Sequence, residues 1–279
     1  MPESPEVDAL AGFLRERATD RTIERIELDE FRALKTRDRR LDELTGRTVA
    51  GLRRFGKHLA LDTDGPSLAI GFGRAGWARW SDDRAAADGA IADGDAAVIA
   101  RILFDDGAQL ALVDAGEWLS LTLSVTDDPR RLPAIAKLGP DPLSPEFTRD
   151  VLDGILRGRR KQLKALLQEQ ESLAGIGNAY SDEILHAARL APTTHASALD
   201  DGERARLHAA IQDVLRAAFA GRRDVPPDRL KAEKVAAMRV HGRTGEACPV
   251  CGDTVRDVPG SKGGAQYCAT CQNGGVPLA

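Results

Sequence analysis

The chain has 279 residues, 42% hydrophobic and 29% charged, with a formal net charge of −4. That length allows two domains with cores of their own, and the composition is that of a globular protein. No apolar run approaches a bilayer span and the first residues lack a signal peptide's apolar region, so a cytoplasmic protein is expected.

The first seven residues are Met1-Pro2-Glu3-Ser4-Pro5-Glu6-Val7. A small residue after Met1 favours removal of the methionine, which would leave Pro2 with a free secondary amine. Such an amine titrates near ~8 and attacks aldehyde-like carbons to give an iminium ion directly. Glu3 and Glu6 place two carboxylates within a turn of it, where a general acid/base is wanted. Ser4 reads as an N-cap and Pro5 as the first helical residue, with Val7, Leu10, Phe13 and Leu14 following at helical spacing. Taken alone, the same residues describe an ordinary frayed terminus ahead of a helix.

Strands are expected over 22–31, 47–54, 57–62, 67–73, 97–104 and 108–124, broken by turn signals such as Asp64-Gly65-Pro66 and Asp105-Asp106-Gly107. After the first helix this is an all-β pattern, read as a sandwich. Residues 81–95 are rich in Ala, Asp and Gly and read as an exposed loop. Lys57, straight after Gly56 between two strands, can reach a phosphate as a point charge. A solvated hairpin lysine fits the same pattern. Trp77 and Trp80 read as core or sheet-surface residues.

Pro133, Pro140, Pro142 and Pro145 mark a linker over 130–147, where the domain boundary is placed. The predicted division is 1–132, 133–235 and 236–279. Helices are predicted over 147–157, 160–170, 178–189 and 197–219, the last capped by Ser197. The stretch before the third, Gly175-Ile176-Gly177-Asn178, has two glycines that can turn N–H groups outward, with Asn178 capping the helix. A plain helical hairpin would look the same. Residues 1–150 hold 21 Lys+Arg against 28 Asp+Glu and residues 151–279 hold 18 against 15, so a polyanion would meet the second half more naturally.

All four cysteines lie in the last forty residues, as Cys248-Pro249-Val250-Cys251 and Cys268-Ala269-Thr270-Cys271 with sixteen residues between the pairs. Two CxxC pairs at that spacing are a zinc-ribbon signal, and four protein ligands make the one zinc structural. So small a hairpin cannot bury a core, so the metal would supply its folding energy. Lys262, in the loop between the pairs, is a candidate functional side chain.

In this order the motifs Pro2-Glu3-Ser4-Pro5-Glu6-Val7, Gly56-Lys57, Gly177-Asn178, Arg243-Thr244-Gly245-Glu246 and the four-Cys ribbon resemble the formamidopyrimidine-DNA glycosylase / endonuclease VIII family over nearly the whole chain. The resemblance implies an α+β chain: an N-terminal helix plus β-sandwich, then a helical helix–two-turns–helix domain with a C-terminal zinc finger. It implies a monomer that acts on damaged DNA as a base-excision glycosylase and abasic-site lyase in the cytoplasm, at the nucleoid. Pro2 would be the nucleophile, Glu3 the general acid/base, and Glu6 a positioning group. Lys57 and Gly177-Asn178 would hold phosphates beside the lesion, and the target base would leave the duplex before attack.

Departures from the family pattern fall at four places. Gly71 replaces a frequent His, Arg74 a gap-filling Met, Glu117 and Trp118 an Arg-x-Phe pair, and Gly263 the finger's Arg. Trp118 can still stack or wedge, and Lys262 beside Gly263 supplies charge without a bidentate fork. Specificity for 8-oxoguanine is therefore not implied. Two other readings remain: a protein that binds damaged or abasic sites with little turnover, and a zinc-ribbon nucleic-acid module of unrelated activity.

Overall fold

The computed structural model describes residues 2–83, 96–261 and 264–279. The chain divides into two compact units, residues 1–137 with 222–231, and residues 138–221 with 232–279.

The first unit begins with α1 (Ser4–Ala18), which buries Val7, Leu10, Ala11, Leu14 and Ala18 and leaves Asp8 exposed. That is the stripe expected of a helix lying on a core. Glu3, not Ser4, is the N-cap, and its N–H donates to Glu6 Oε2 at 3.0 Å. Carboxylate capping from within the first turn removes the need for the serine hydroxyl.

Behind α1 lie two four-stranded antiparallel sheets that share one apolar core with it. One sheet runs β1 (Ile23–Leu28), β6 (Ala97–Phe104), β7 (Gln109–Asp114), β5 (Gly76–Ser81); the other runs β2 (Val49–Phe55), β3 (His58–Thr63), β4 (Ser67–Gly71), β8 (Thr122–Thr126). The helix-plus-sandwich expectation holds. Two details differ. Residues 76–81 form a strand that the alternation did not reveal, and 108–124 is two strands in different sheets. The break falls at Asp114, a buried carboxylate that accepts the N–H groups of Gly116, Ser120 and Leu121 at 2.7–2.9 Å and so turns the chain out of the sheet. Most of the predicted 81–95 loop lies outside the described residues.

The second unit is helical, then finger-like. After the short α2 (Pro133–Ala136) of the first unit come α3 (Arg149–Leu156), α4 (Leu163–Leu167), α5 (Asn178–Ala188) and α6 (Asp201–Arg222). Together α3 to α6 bury a leucine-rich core. Asp200, not Ser197, caps α6: its carboxylate takes the Glu203 N–H at 2.7 Å while Glu203 accepts the Asp200 N–H. Between α6 and the finger the chain forms α7 (Leu230–Ala237). The finger pairs β9 (Val255–Asp257) with β10 (Gln266–Cys268) and ends in α8 (Ala269–Gln272). No helix among the described residues is long and apolar enough to cross a membrane.

Candidate functional site

Pro2, Glu3 and Glu6 are all buried, so the chain's start is a built feature and not a frayed end. In the chain as encoded, Met1 makes the Pro2 nitrogen a tertiary amide, and loss of Met1 is what frees the amine. Glu6 is held from two sides, by the Glu3 N–H and by Arg222, whose Nε lies 3.7 Å from Glu6 Oε1. Arg222 is 5% exposed and its Nε makes no hydrogen bond among the described residues, so its charge is compensated across that gap. Sequence reasoning missed Arg222, because nothing local separates it from the neighbouring Arg223.

Lys57 stands with Gly56 at the tip of the β2–β3 hairpin, where Phe55 pairs with His58. Beside it His58 is held below the ordinary imidazole range, first by burial and then by the Lys57 charge. Arg74 and Trp118 sit on two separate loops that Ser120 joins. Its hydroxyl accepts the Arg74 and Ala75 N–H groups at 3.0 and 3.1 Å and donates to Asp114 at 2.9 Å. Burial raises the Asp114 pKa, but the Gly116, Ser120 and Leu121 N–H groups outweigh it and hold the carboxylate below its usual range. On this anchored loop Trp118 projects with 80% of its surface exposed. Trp77 and Trp80 are packing residues, against Phe72 and Phe104, and their N–H groups go to Pro227 O and Asp82.

Gly71 has a structural cause. A Cβ there would lie 2.6 Å from Thr122 Oγ1 and 3.0 Å from His58 Nδ1, so the space of a larger side chain is already taken.

In the second unit the glycine turn is organised by Gln170. Its Oε1 accepts the Gly175 N–H and its Nε2 donates to Gln168 O and Ile176 O, while Gly175 takes φ +88°. The N-cap of α5 is Gly177, and Asn178 is its first helical residue. The Asn178 side chain therefore does not cap. Its Oδ1 accepts from Gln168 Nε2 at 3.0 Å. Ser181 gives its single hydroxyl proton to Asn178 O at 2.9 Å, so it can only accept from Gln168 at 3.2 Å and from Lys164 at 3.2 Å. That fixes Gln168 as the donor and turns the Asn178 amide NH2 away from it.

Downstream on α5, Asp182 and Glu183 are buried and hold the finger. Glu183 accepts the N–H groups of Arg239, Val240 and His241, each at 2.9 Å, and Asp182 takes Lys164 at 2.6 Å, His241 Nδ1 at 2.8 Å and the Gln266 N–H at 3.2 Å. Burial raises the Glu183 pKa against the pull of those three N–H groups. These acids carry no signature in sequence, since their partners in the finger lie more than fifty residues away.

The sulfurs of Cys248, Cys251, Cys268 and Cys271 lie within 4.8 Å of one another. Cys248 and Cys271 are 3.8 Å apart and Cys251 and Cys268 3.3 Å. Four thiolates about 2.3 Å from one tetrahedral ion stand about 3.8 Å apart, so the donor set fits a closed thiolate metal site. Lys262 lies outside the described residues.

A helix-started β-sandwich and a helical unit with a four-cysteine finger define a class of two-unit, cysteine-finger proteins. The comparisons narrow it. Residues 1–118 match the formamidopyrimidine-DNA glycosylase N-terminal domain and residues 138–225 the formamidopyrimidine-DNA glycosylase H2TH domain. A formamidopyrimidine-DNA glycosylase of Desulforamulus reducens is 31% identical over 283 residues, covering 98% of this chain and 99% of the relative. An uncharacterised formamidopyrimidine-DNA glycosylase-like protein of Mycobacterium tuberculosis is 47% identical over 144 residues, 51% of this chain and 89% of that one. The Lactococcus lactis enzyme, solved with DNA containing a formamidopyrimidine lesion, superposes with a TM-score of 0.82 at 27% identity, covering 97% of this chain and all of that one. The chain belongs to the formamidopyrimidine-DNA glycosylase family.

Proposed function

We propose that the protein is a base-excision DNA glycosylase that also nicks the strand, working through an imine at Pro2. The observation that carries this is the start of the chain. Pro2 precedes a helix whose first turn is capped by Glu6, with Glu3 and Glu6 both buried beside it, in a member of this family.

After removal of Met1, the Pro2 nitrogen lone pair attacks C1′ of the damaged nucleotide. The C1′–N bond breaks and the base leaves, taking a proton. The sugar C1′–O4′ bond then opens to give an iminium ion, with Glu3 supplying the proton to O4′. The iminium acidifies C2′, a proton is lost there, and the C3′–O bond to phosphate breaks. Water releases the sugar fragment and restores the amine. Glu6 positions the first turn for these steps. Lys57, Gly177 and Asn178 hold phosphates on either side of the lesion, and the finger, with Lys262, grips the duplex. Arg74 and Trp118 occupy the gap left by the flipped base. One structural zinc on the four cysteines braces the finger when bound. Catalysis falls to residues 1–132, strand gripping to 133–235 and the finger to 236–279, in a cytoplasmic monomer.

Glu117 at the base-reading loop is a poor partner for an orphaned base on an anionic duplex, so abasic, bubble and single-stranded substrates are favoured over paired 8-oxoguanine. The test is a panel of abasic, thymine-glycol and 8-oxoguanine oligonucleotides with wild type and Pro2→Gly. Cleavage that needs Pro2 supports the reading. Tight binding without any cleavage by wild type would leave a damage-binding protein instead.

A further inference from the structure

The helix α5 carries a group that none of the proposed roles uses. His186 is 3% exposed, and its Nε2 lies 3.3 Å from Cys248 Sγ, one of the four clustered sulfurs. Its other ring nitrogen, Nδ1, is buried with no hydrogen-bond partner among the described residues.

We propose that His186 is an outer-sphere partner of the metal site, donating its Nε2–H to the Cys248 thiolate and so tying α5 to the finger through the metal. The inference rests on the reading that the four cysteines hold zinc. A thiolate bound to a metal only accepts hydrogen bonds, so the ring proton must sit on Nε2. The other tautomer would aim a lone pair at a thiolate and bury an unmet N–H at Nδ1, two penalties where the chosen tautomer leaves only one bare acceptor. Four thiolates on one divalent ion carry two excess negative charges, which an N–H aimed at sulfur offsets. Partners of this kind are worth about 10–100-fold in metal affinity.

The surrounding contacts make the link cooperative. One turn before His186, Asp182 and Glu183 hold the backbone of residues 239–241 and Gln266. Just beyond α5, Leu190 O accepts from Gln272 Nε2 at 2.9 Å, and Gln272 Oε1 takes the Cys268 N–H at 2.9 Å. The helix that opens at Gly177 and Asn178 is thereby the finger's docking platform, and the metal completes the joint.

The test uses the metal-loaded full chain and three measurements. Zinc content comes first: one zinc in wild type, lost in Cys251→Ser, establishes the metal, and a wild type without zinc would defeat the metal reading itself. Zinc transfer to a colorimetric chelator is then timed for His186→Phe and His186→Gln. Phe fills the ring's volume without a donor, while Gln places an amide N–H near the Nε2 position. His186→Phe should release zinc at least about 10-fold faster and His186→Gln within about threefold of wild type. Equal rates in all three would overturn the proposal, and equally fast release by both variants would assign the effect to ring packing and overturn it too. The ring tautomer, read from imidazole 15N shifts of the zinc-loaded wild type, gives an answer free of any folding defect: protonated Nε2 with bare Nδ1 supports the proposal and the reverse refutes it.

Discussion

Replacing Glu6 by Gln tests the packing that places the chain's first residues. The substitution keeps an oxygen for the Glu3 N–H at 3.0 Å but removes the charge opposite Arg222, 3.7 Å away. The two side chains are only 3% and 6% exposed, so screening is weak. At an effective dielectric near 20, unit charges at that separation attract by about 4–5 kcal/mol. Removing one partner of such a buried pair costs about 3–5 kcal/mol, because the other is left uncompensated. Glu6→Gln and Arg222→Met should therefore each cost about 3 kcal/mol, and the double variant about the same as either alone. Urea unfolding followed by tryptophan fluorescence reads this unit selectively, since Trp77, Trp80 and Trp118 are the chain's three tryptophans and all lie in it. Costs that add to within about 0.5 kcal/mol would show that Arg222 does not support Glu6.

Gln168→Leu should weaken binding to DNA carrying an abasic-site analogue by several-fold, and should do nothing further in an Asn178→Ala background; independent effects in titrations of the four proteins would refute the orienting role. Gly71→Ala should destabilise the first unit by about 1–3 kcal/mol, much of it recovered with Thr122→Ala, because the new methyl meets Thr122 Oγ1 at 2.6 Å; an unchanged urea midpoint would contradict the contact. Glu169 is held down to about 2, first by Lys161 and then by Ser172 and Arg159. A depressed carboxylate stabilises the fold above its unfolded pKa, so that contribution is complete above roughly pH 4.5 and lost as the pH falls toward 2. Glu169→Gln should flatten this acid limb in circular dichroism melts, and an unaltered limb would reject it.

Much of this was legible in the chain. The apolar stripe of α1, the two turns at Asp64-Gly65-Pro66 and Asp105-Asp106-Gly107, the four helical stretches and the paired CxxC motifs all depend on local chemistry, which sequence displays directly. What escaped depends on distant partners. Asp114 looks like a residue inside a long strand until its carboxylate is seen collecting N–H groups up to seven residues ahead. Gly76 to Ser81 reads as mixed, because Trp77 and Trp80 are half-buried sheet residues whose packing partners, Phe72 and Phe104, are not encoded in alternation. The caps moved for a related reason: a carboxylate at Glu6 or Asp200 outcompetes a serine two or three residues away. Arg222, Asp182, Glu183 and His186 were invisible, since a charged residue on a helix says nothing of what it will be buried against.

The most direct measurement is borohydride trapping on abasic DNA, followed by intact-mass and peptide analysis of the product. The mechanism predicts a protein that has lost Met1 and a single DNA adduct on the Pro2 nitrogen, absent from Pro2→Gly. A wild-type protein that keeps Met1, or an adduct that maps to a lysine and survives Pro2→Gly, would contradict it.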